Sequence, residues 1–186
     1  MTVASTKVLG PYSRFAIWVQ GCLKCCSGCL SKDSQPFDGG YEVETTDLAE
    51  VIINASDIEG ITISGGEPFL QSDALVDLVS KIKSKRDVGV IVYTGYDFEE
   101  IEADKLTKYS DIIIDGAYVE ALNDGLSLRG SSNQNVRLIT KRYQDVIKKL
   151  YELQGRKIEM RIKDGNATMV GIPDKKTLQI FERTGK

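Results

Sequence analysis

The stretch from Phe15 to Cys29 reads FAIWVQGCLKCCSGC. Its first part, Phe15 to Gln20, is apolar and β-prone, the signature of a buried strand. It runs directly into a loop that holds every cysteine in the chain: Cys22, Cys25, Cys26 and Cys29. The strand therefore delivers the cysteines at its C-terminal end.

Outward from there the chain alternates strand and helix. Ser31 to Tyr41 is turn chemistry, with Pro36 and the Gly39-Gly40 pair. Thr46 is the expected N-cap of a helix carrying Leu48, Val51 and Ile52. Ile61 to Ser64 predicts a strand that ends in Gly65-Gly66-Glu67-Pro68, and Ser72 or Asp73 is expected to cap the next helix, with Leu75, Leu78, Val79 and Ile82 at helical spacing. Val88 to Tyr93 is the near-continuous apolar run of a strand covered on both faces. Phe98 to Leu106 predicts a third helix, and Asp111 to Asp115 the strand after it. Parallel strands linked by right-handed crossovers follow from this order.

Beyond residue 115 the pattern loosens. Gly116 to Asn135 is polar and too long for a mere connector. Val136 to Thr140 predicts a fifth strand and Tyr143 to Leu153 an amphipathic helix. Ile158 to Ile162 and Ala167 to Ile172 flank Asp164-Gly165-Asn166, a hairpin signal. The expected organisation is one domain over residues 1–186, without internal repeat or linker; a chain of this length buries roughly 70% of its unfolded surface.

Composition narrows the chemistry. The chain has no histidine, which removes Ser-His-Asp and Cys-His catalysis, His-ligated metalloprotease sites and imidazole-held haem. Its formal net charge is −3, from 24 Lys and Arg against 27 Asp and Glu, a balance that does not ask for nucleic acid as a partner. Pro11, Ser13 and Arg14 interrupt the N-terminal apolar stretch below signal-peptide length, and no segment approaches the roughly 18 apolar residues of a membrane helix. A cytosolic, reducing location is the expectation, and there clustered cysteines bind metal or act in redox chemistry more often than they form disulfides.

The cysteines read either as Cys22-x3-Cys26-x2-Cys29 with Cys25 extra, or as two abutting C-x2-C pairs. Four-cysteine zinc sites usually separate two such pairs by roughly 15 to 20 residues, and adjacent Cys25 and Cys26 are poorly placed to share one tetrahedral ion. Three thiolates on a short loop match an iron–sulfur cube held through three of its four irons, the fourth being open to a non-protein ligand. A structural zinc or interaction module remains the non-enzymatic alternative.

The spacing Cys22-x3-Cys26-x2-Cys29 resembles the signature of the radical S-adenosylmethionine (SAM) superfamily. It occurs here with Gly65-Gly66-Glu67-Pro68, Tyr93-Thr94-Gly95-Tyr96, Asp115-Gly116 and Arg129-Gly130-Ser131-Ser132-Asn133-Gln134, in that order. Together, from about Phe15 to Tyr143, these resemble the activating enzymes of anaerobic ribonucleotide reductase and their single-cluster relatives. The resemblance implies an α/β fold, an incomplete parallel (β/α) barrel, to which the hairpin signal at Ile158 to Ile172 adds a C-terminal β-hairpin. It implies Cys22, Cys26 and Cys29 as ligands of a [4Fe-4S] cluster, with SAM on the open iron. Gly28, Gly65, Gly66, Glu67, Tyr93, Thr94, Gly95 and Arg129 would line the SAM site, and Asp115 would either hold a hydroxyl or begin a turn. The implied activity is reductive cleavage of SAM to a 5′-deoxyadenosyl radical that makes a glycyl radical on the reductase. An external one-electron donor such as flavodoxin or ferredoxin would reduce the cluster. The alternative substrate is a peptide or small molecule modified directly. Cys25, Cys29-Leu30-Ser31 and Asp115-Gly116-Ala117-Tyr118 depart from the usual family pattern.

Overall fold

A computed structural model describes residues 1–126, 128–152 and 155–184. The elements run β1 (Thr2–Thr6), β2 (Arg14–Val19), α1 (Thr45–Ile53), β3 (Gly60–Gly65), α2 (Ser72–Lys83), β4 (Gly89–Tyr93), α3 (Phe98–Ile101), α4 (Lys105–Tyr109), β5 (Ile112–Asp115), β6 (Asn135–Leu138), α5 (Gln144–Glu152), β7 (Ile158–Lys163), β8 (Asn166–Gly171) and α6 (Lys175–Thr184). The first six strands form one mixed sheet in sequence order, and β7 and β8 form a separate antiparallel hairpin. Within the sheet β2, β3, β4 and β5 are parallel, while β1 and β6 run antiparallel at the two edges.

Side-chain alternation with period two lets one sheet bury both faces. Phe15, Ile17 and Val19, Ile61 and Ile63, and Val90 and Val92 point to one face, where Ala49 and Ile52 of α1, Leu75, Leu78, Val79 and Ile82 of α2, and Leu106 of α4 complete a core. On the other face Ile91, Ile112 and Ile114 meet Leu128, Tyr143 and Ile147, and farther along Ala16 meets Val3, Leu9 and Val170. Coverage of both faces explains why the central strands read as continuous apolar runs.

The parallel strands fall where the apolar runs placed them; the differences lie at caps and edges. The expected helix from Phe98 to Leu106 is two short helices. Asp97 and Glu100 form a capping box that starts α3, and Asp104 accepts a hydrogen bond from Leu106 N–H at 2.7 Å to start α4, so the second cap interrupts the first helix. Helix α1 begins at Thr45 with Glu44 at the N-cap, not Thr46: Glu44 is the last extended residue, at φ −62° and ψ 132°, and Thr46 already lies inside the helix, while the Thr45 hydroxyl is bonded to Asp77 and Lys81 of α2. Helix α2 begins at Ser72 behind Gln71, with the Ser72 hydroxyl bonded to Asp104. The strand expected at Val136 to Thr140 is β6, antiparallel to β5, and β1 is an additional edge strand. The hairpin turn is Asp164-Gly165, both residues at positive φ, as a two-residue type I′ turn requires. Leu153, the expected end of the amphipathic helix, lies outside the described residues.

Arg14, noted in the sequence only as an interruption, is fully buried where the parallel strands begin. Its guanidinium donates to Thr62 Oγ1 at 2.7 Å, the Ile61 carbonyl at 2.6 Å, the Gly89 carbonyl at 2.9 Å, Tyr143 Oη at 2.9 Å and Glu59 Oε2 at 3.1 Å. One side chain thus ties β2, β3 and β4 together at the end of the sheet remote from the cysteines.

Candidate active site

The C-terminal ends of the parallel strands meet at an open cleft of about 150 Å³. Cys22, Cys26 and Cys29 line it together with Gly65, Gly66 and Glu67 at the end of β3, Tyr93, Thr94 and Gly95 at the end of β4, and Gly116 after β5. This is the position at which parallel α/β sheets place ligands.

Backbone pairing builds the site. Val19 pairs with Gly65, and the ladder continues through Gly66 N–H to the Val19 carbonyl and Glu67 N–H to the Gly21 carbonyl, both at 2.8 Å. From the other side Gly21 N–H donates to the Ser34 carbonyl at 2.9 Å and Cys22 N–H to the Gln35 carbonyl at 3.0 Å. The cysteine loop is thereby pinned at both its start and its return. A Cβ on Gly66 would stand 2.2 Å from the Gly21 oxygen and 2.7 Å from the Ser34 oxygen, and one on Gly65, at φ +103°, 2.5 Å from the Val19 oxygen. The two glycines therefore serve the close approach of three backbone segments to one another as well as the cleft they line.

Glu67 is buried and joins two strand ends. Oε1 accepts from Thr94 Oγ1 at 2.8 Å and Phe69 N–H at 3.1 Å, and Oε2 from Gly95 N–H at 2.8 Å. Burial pushes its carboxyl above the usual glutamate range; the Gly95, Phe69 and Thr94 donors and the charge of Lys24 act in the opposite direction. Both oxygens are occupied by the protein itself, so Glu67 braces the cleft. Tyr93 donates its hydroxyl to the Leu128 carbonyl at 2.8 Å, tying the end of β4 to the loop before β6. In that loop Gln134, which also lines the cleft, accepts from Gly130 N–H at 2.8 Å and donates to the Gly116 carbonyl at 2.7 Å.

Other residues singled out in the sequence stand elsewhere. Arg129 does not line the cleft: its guanidinium donates to Asp124 Oδ2 at 2.7 Å, while the adjacent Gly130 lines the cleft. Gly28, at φ +75°, packs against Glu120 rather than facing the cleft. Asp115 is buried and held across the β5–β6 pair by Arg137 Nε at 2.9 Å and Asn135 Nδ2 at 3.3 Å. Cys25 sits at φ +46° with its side chain exposed, apart from the three cysteines that line the cleft. The left-handed turn at Cys25 thus resolves the ambiguity of the adjacent pair.

Several cleft residues carried no signal in the sequence. Lys24 lines the cleft from within the cysteine loop, and Gly171 and Ile172, at the end of the hairpin, reach it from far along the chain. Only the docking of the hairpin beside β1, through Val170 against Val3 and Leu9, brings them there.

The donor set suits an iron–sulfur cluster. The three cleft cysteines are free thiols, half-buried, and both oxygens of Glu67, the carboxylate that lines the cleft with them, are bonded to protein donors. Burial pushes the Cys22 thiol up, offset by Lys24 N–H, which donates to its Sγ at 3.4 Å. Thiolates are the soft ligands that iron–sulfur clusters take.

Comparison with known proteins agrees. Residues 8–137 match the family model described as a 4Fe-4S single cluster domain. The chain is 33% identical over 134 residues to the anaerobic ribonucleoside-triphosphate reductase-activating protein of Enterobacteria phage T4, covering 69% of this chain and 86% of that one. The protein of the same name from Vibrio cholerae serotype O1 is 29% identical over 143 residues, covering 72% and 92%. The pyruvate formate-lyase-activating enzyme of Listeria monocytogenes serovar 1/2a is 29% identical over 140 residues, covering 70% of this chain and 56% of that one. The chain belongs to the 4Fe-4S single cluster domain family and is related to the anaerobic ribonucleoside-triphosphate reductase-activating proteins.

Proposed function

We propose that the protein is a radical SAM activase that holds one [4Fe-4S] cluster and installs a glycyl radical on an anaerobic ribonucleotide reductase. The observation that carries this reading is the convergence of three free thiols and three successive strand ends on one cleft, in a chain with no histidine. Cys22, Cys26 and Cys29 ligate the cluster. When bound, the cluster supplies the electron for reductive cleavage of SAM, and the resulting radical chemistry takes a hydrogen atom from a glycine Cα of the partner.

The chain's own residues bind, orient and exclude water. Gly65 and Gly66 present bare backbone to the cleft, Thr94 and Gly95 form its edge, and Glu67 fixes the spacing between them through its three accepted hydrogen bonds. Tyr93 acts through its bond to Leu128, and Arg129 shapes the same loop through Asp124. Hydrogen-atom abstraction needs no imidazole base, so the lack of histidine is no handicap.

The sheet is read as an incomplete barrel within a single domain, open between the edge strands β1 and β6, where a loop of a partner protein can enter. A one-electron donor of the flavodoxin or ferredoxin type reduces the cluster, and the compartment is the cytoplasm. No helix among the described residues is long and apolar enough to cross a membrane. Anaerobic reconstitution tests the reading: iron–sulfur absorption and 5′-deoxyadenosine release from SAM under reduction support it. One bound zinc with neither property refutes it.

A further inference from the structure

Lys24 lies between the proposed ligands Cys22 and Cys26 and lines the cleft, and its side chain crosses Gly95 at the cleft edge to reach Tyr96 and Glu100 just beyond it. Its Nζ stands 3.9 Å from the centroid of the Tyr96 ring and 3.5 Å from Glu100 Oε2. Both partners are also held by groups other than Lys24. Glu100 Oε2 accepts from Asp97 N–H at 2.8 Å in the α3 capping box, and Tyr96 is held by its N–H to Thr94 Oγ1 at 3.1 Å and by its carbonyl, which accepts from Gly116 N–H at 2.8 Å. Between the two ends, the Lys24 stem packs on Gly95, whose missing Cβ would stand 3.0 Å from Lys24 Cγ. The side chain is about a quarter exposed, so its charge is only partly screened from the cleft.

We propose that Lys24 is a positioning residue: docked on Tyr96 and Glu100, it clips the cysteine loop to the end of β4 and holds a positive charge beside the cluster. The inference rests on the cluster assignment above. Reduction of the cluster by the one-electron donor adds one electron, so the more negative reduced form is the one a nearby cation favours. Glu100 opposes this with a charge of the other sign. Lys24 therefore favours reduction and Glu100 disfavours it.

The test is the midpoint potential of the reconstituted chain, followed by electron paramagnetic resonance during redox titration. Lys24→Met is expected to shift the reduction equilibrium up to about tenfold toward the oxidised cluster, about 59 mV for one electron. Glu100→Gln keeps an acceptor for the α3 cap but removes the charge, and is expected to shift the equilibrium in the opposite direction. Lys24→Arg is expected to restore the wild-type value, since a guanidinium also stacks on an aromatic face. Equal potentials in all four proteins, or shifts of the same sign for Lys24→Met and Glu100→Gln, overturn the inference while leaving the cluster assignment standing. A wild-type chain that takes up no iron–sulfur cluster overturns both.

Discussion

Replacing Glu67 probes the brace that holds the cleft. In Glu67→Ala the N–H groups of Gly95 and Phe69 lose their acceptor, while Thr94 can rotate its hydroxyl toward another. Each buried N–H left unpaired costs about 1–3 kcal/mol, and the carboxylate removed was itself held against a desolvation cost, so the expected loss of stability is about 2–5 kcal/mol. Glu67→Gln keeps an acceptor at the oxygen that serves two donors but turns an NH₂ toward Gly95 N–H, for a loss of about 1–3 kcal/mol. Urea unfolding of the cluster-free chain measures both.

The pH dependence has a definite sign. Burial raises the folded-state pKa of Glu67 above its unfolded value, so the stability it contributes is fully present below the unfolded pKa and lost as pH rises through the raised folded value. Glu67→Gln cannot titrate and loses that slope. Glu67→Ala within 0.5 kcal/mol of wild type (about the range of a neutral surface substitution), together with an unchanged pH profile, would refute the brace.

Three further outcomes follow from the geometry. Gly66→Ala drives a methyl to 2.2 Å from the Gly21 oxygen, so it is expected to destabilise the chain by about 1–3 kcal/mol and to lower iron content after reconstitution, read by metal analysis. Cys25→Ser is expected to retain wild-type iron content, because Cys25 is exposed and apart from the cleft, whereas serine at Cys22, Cys26 or Cys29 is expected to lose most of it. Arg14→Met leaves Glu59 with Arg142 and Tyr143 but strips the Ile61 and Gly89 carbonyls and Thr62 of a donor. It is expected to cost about 2–4 kcal/mol in thermal or urea unfolding, with cysteine accessibility to alkylation in the folded state unaltered.

The parallel strands were legible because each is buried on both faces and reads as an unbroken apolar run, as in Val88 to Tyr93. Strand β1 was not. Its sequence, TVAST, carries a single large apolar residue, and its place at the edge comes from antiparallel pairing with β2 across a register shift. The thiols and strand-end motifs were legible from their spacing and order. The uses of Glu67 and Asp115 were not, because each depends on a partner far along the chain, Thr94 and Gly95 for Glu67 and Arg137 for Asp115; Arg129 has its partner Asp124 only five residues away, but the two meet only through the fold of the loop between them. The same holds for Arg14, whose partners at Thr62, Gly89 and Tyr143 come together only in the folded sheet.

The central claim is that three thiols at this cleft serve SAM-dependent radical installation on another protein. Electron paramagnetic resonance of an anaerobic mixture of the reconstituted chain, SAM, a one-electron reductant and an anaerobic ribonucleotide reductase tests it most directly. The account predicts a glycyl radical on the reductase that requires SAM and disappears when Cys22, Cys26 or Cys29 is replaced by serine. No glycyl radical with the cognate reductase, or a radical that survives those replacements, would contradict it.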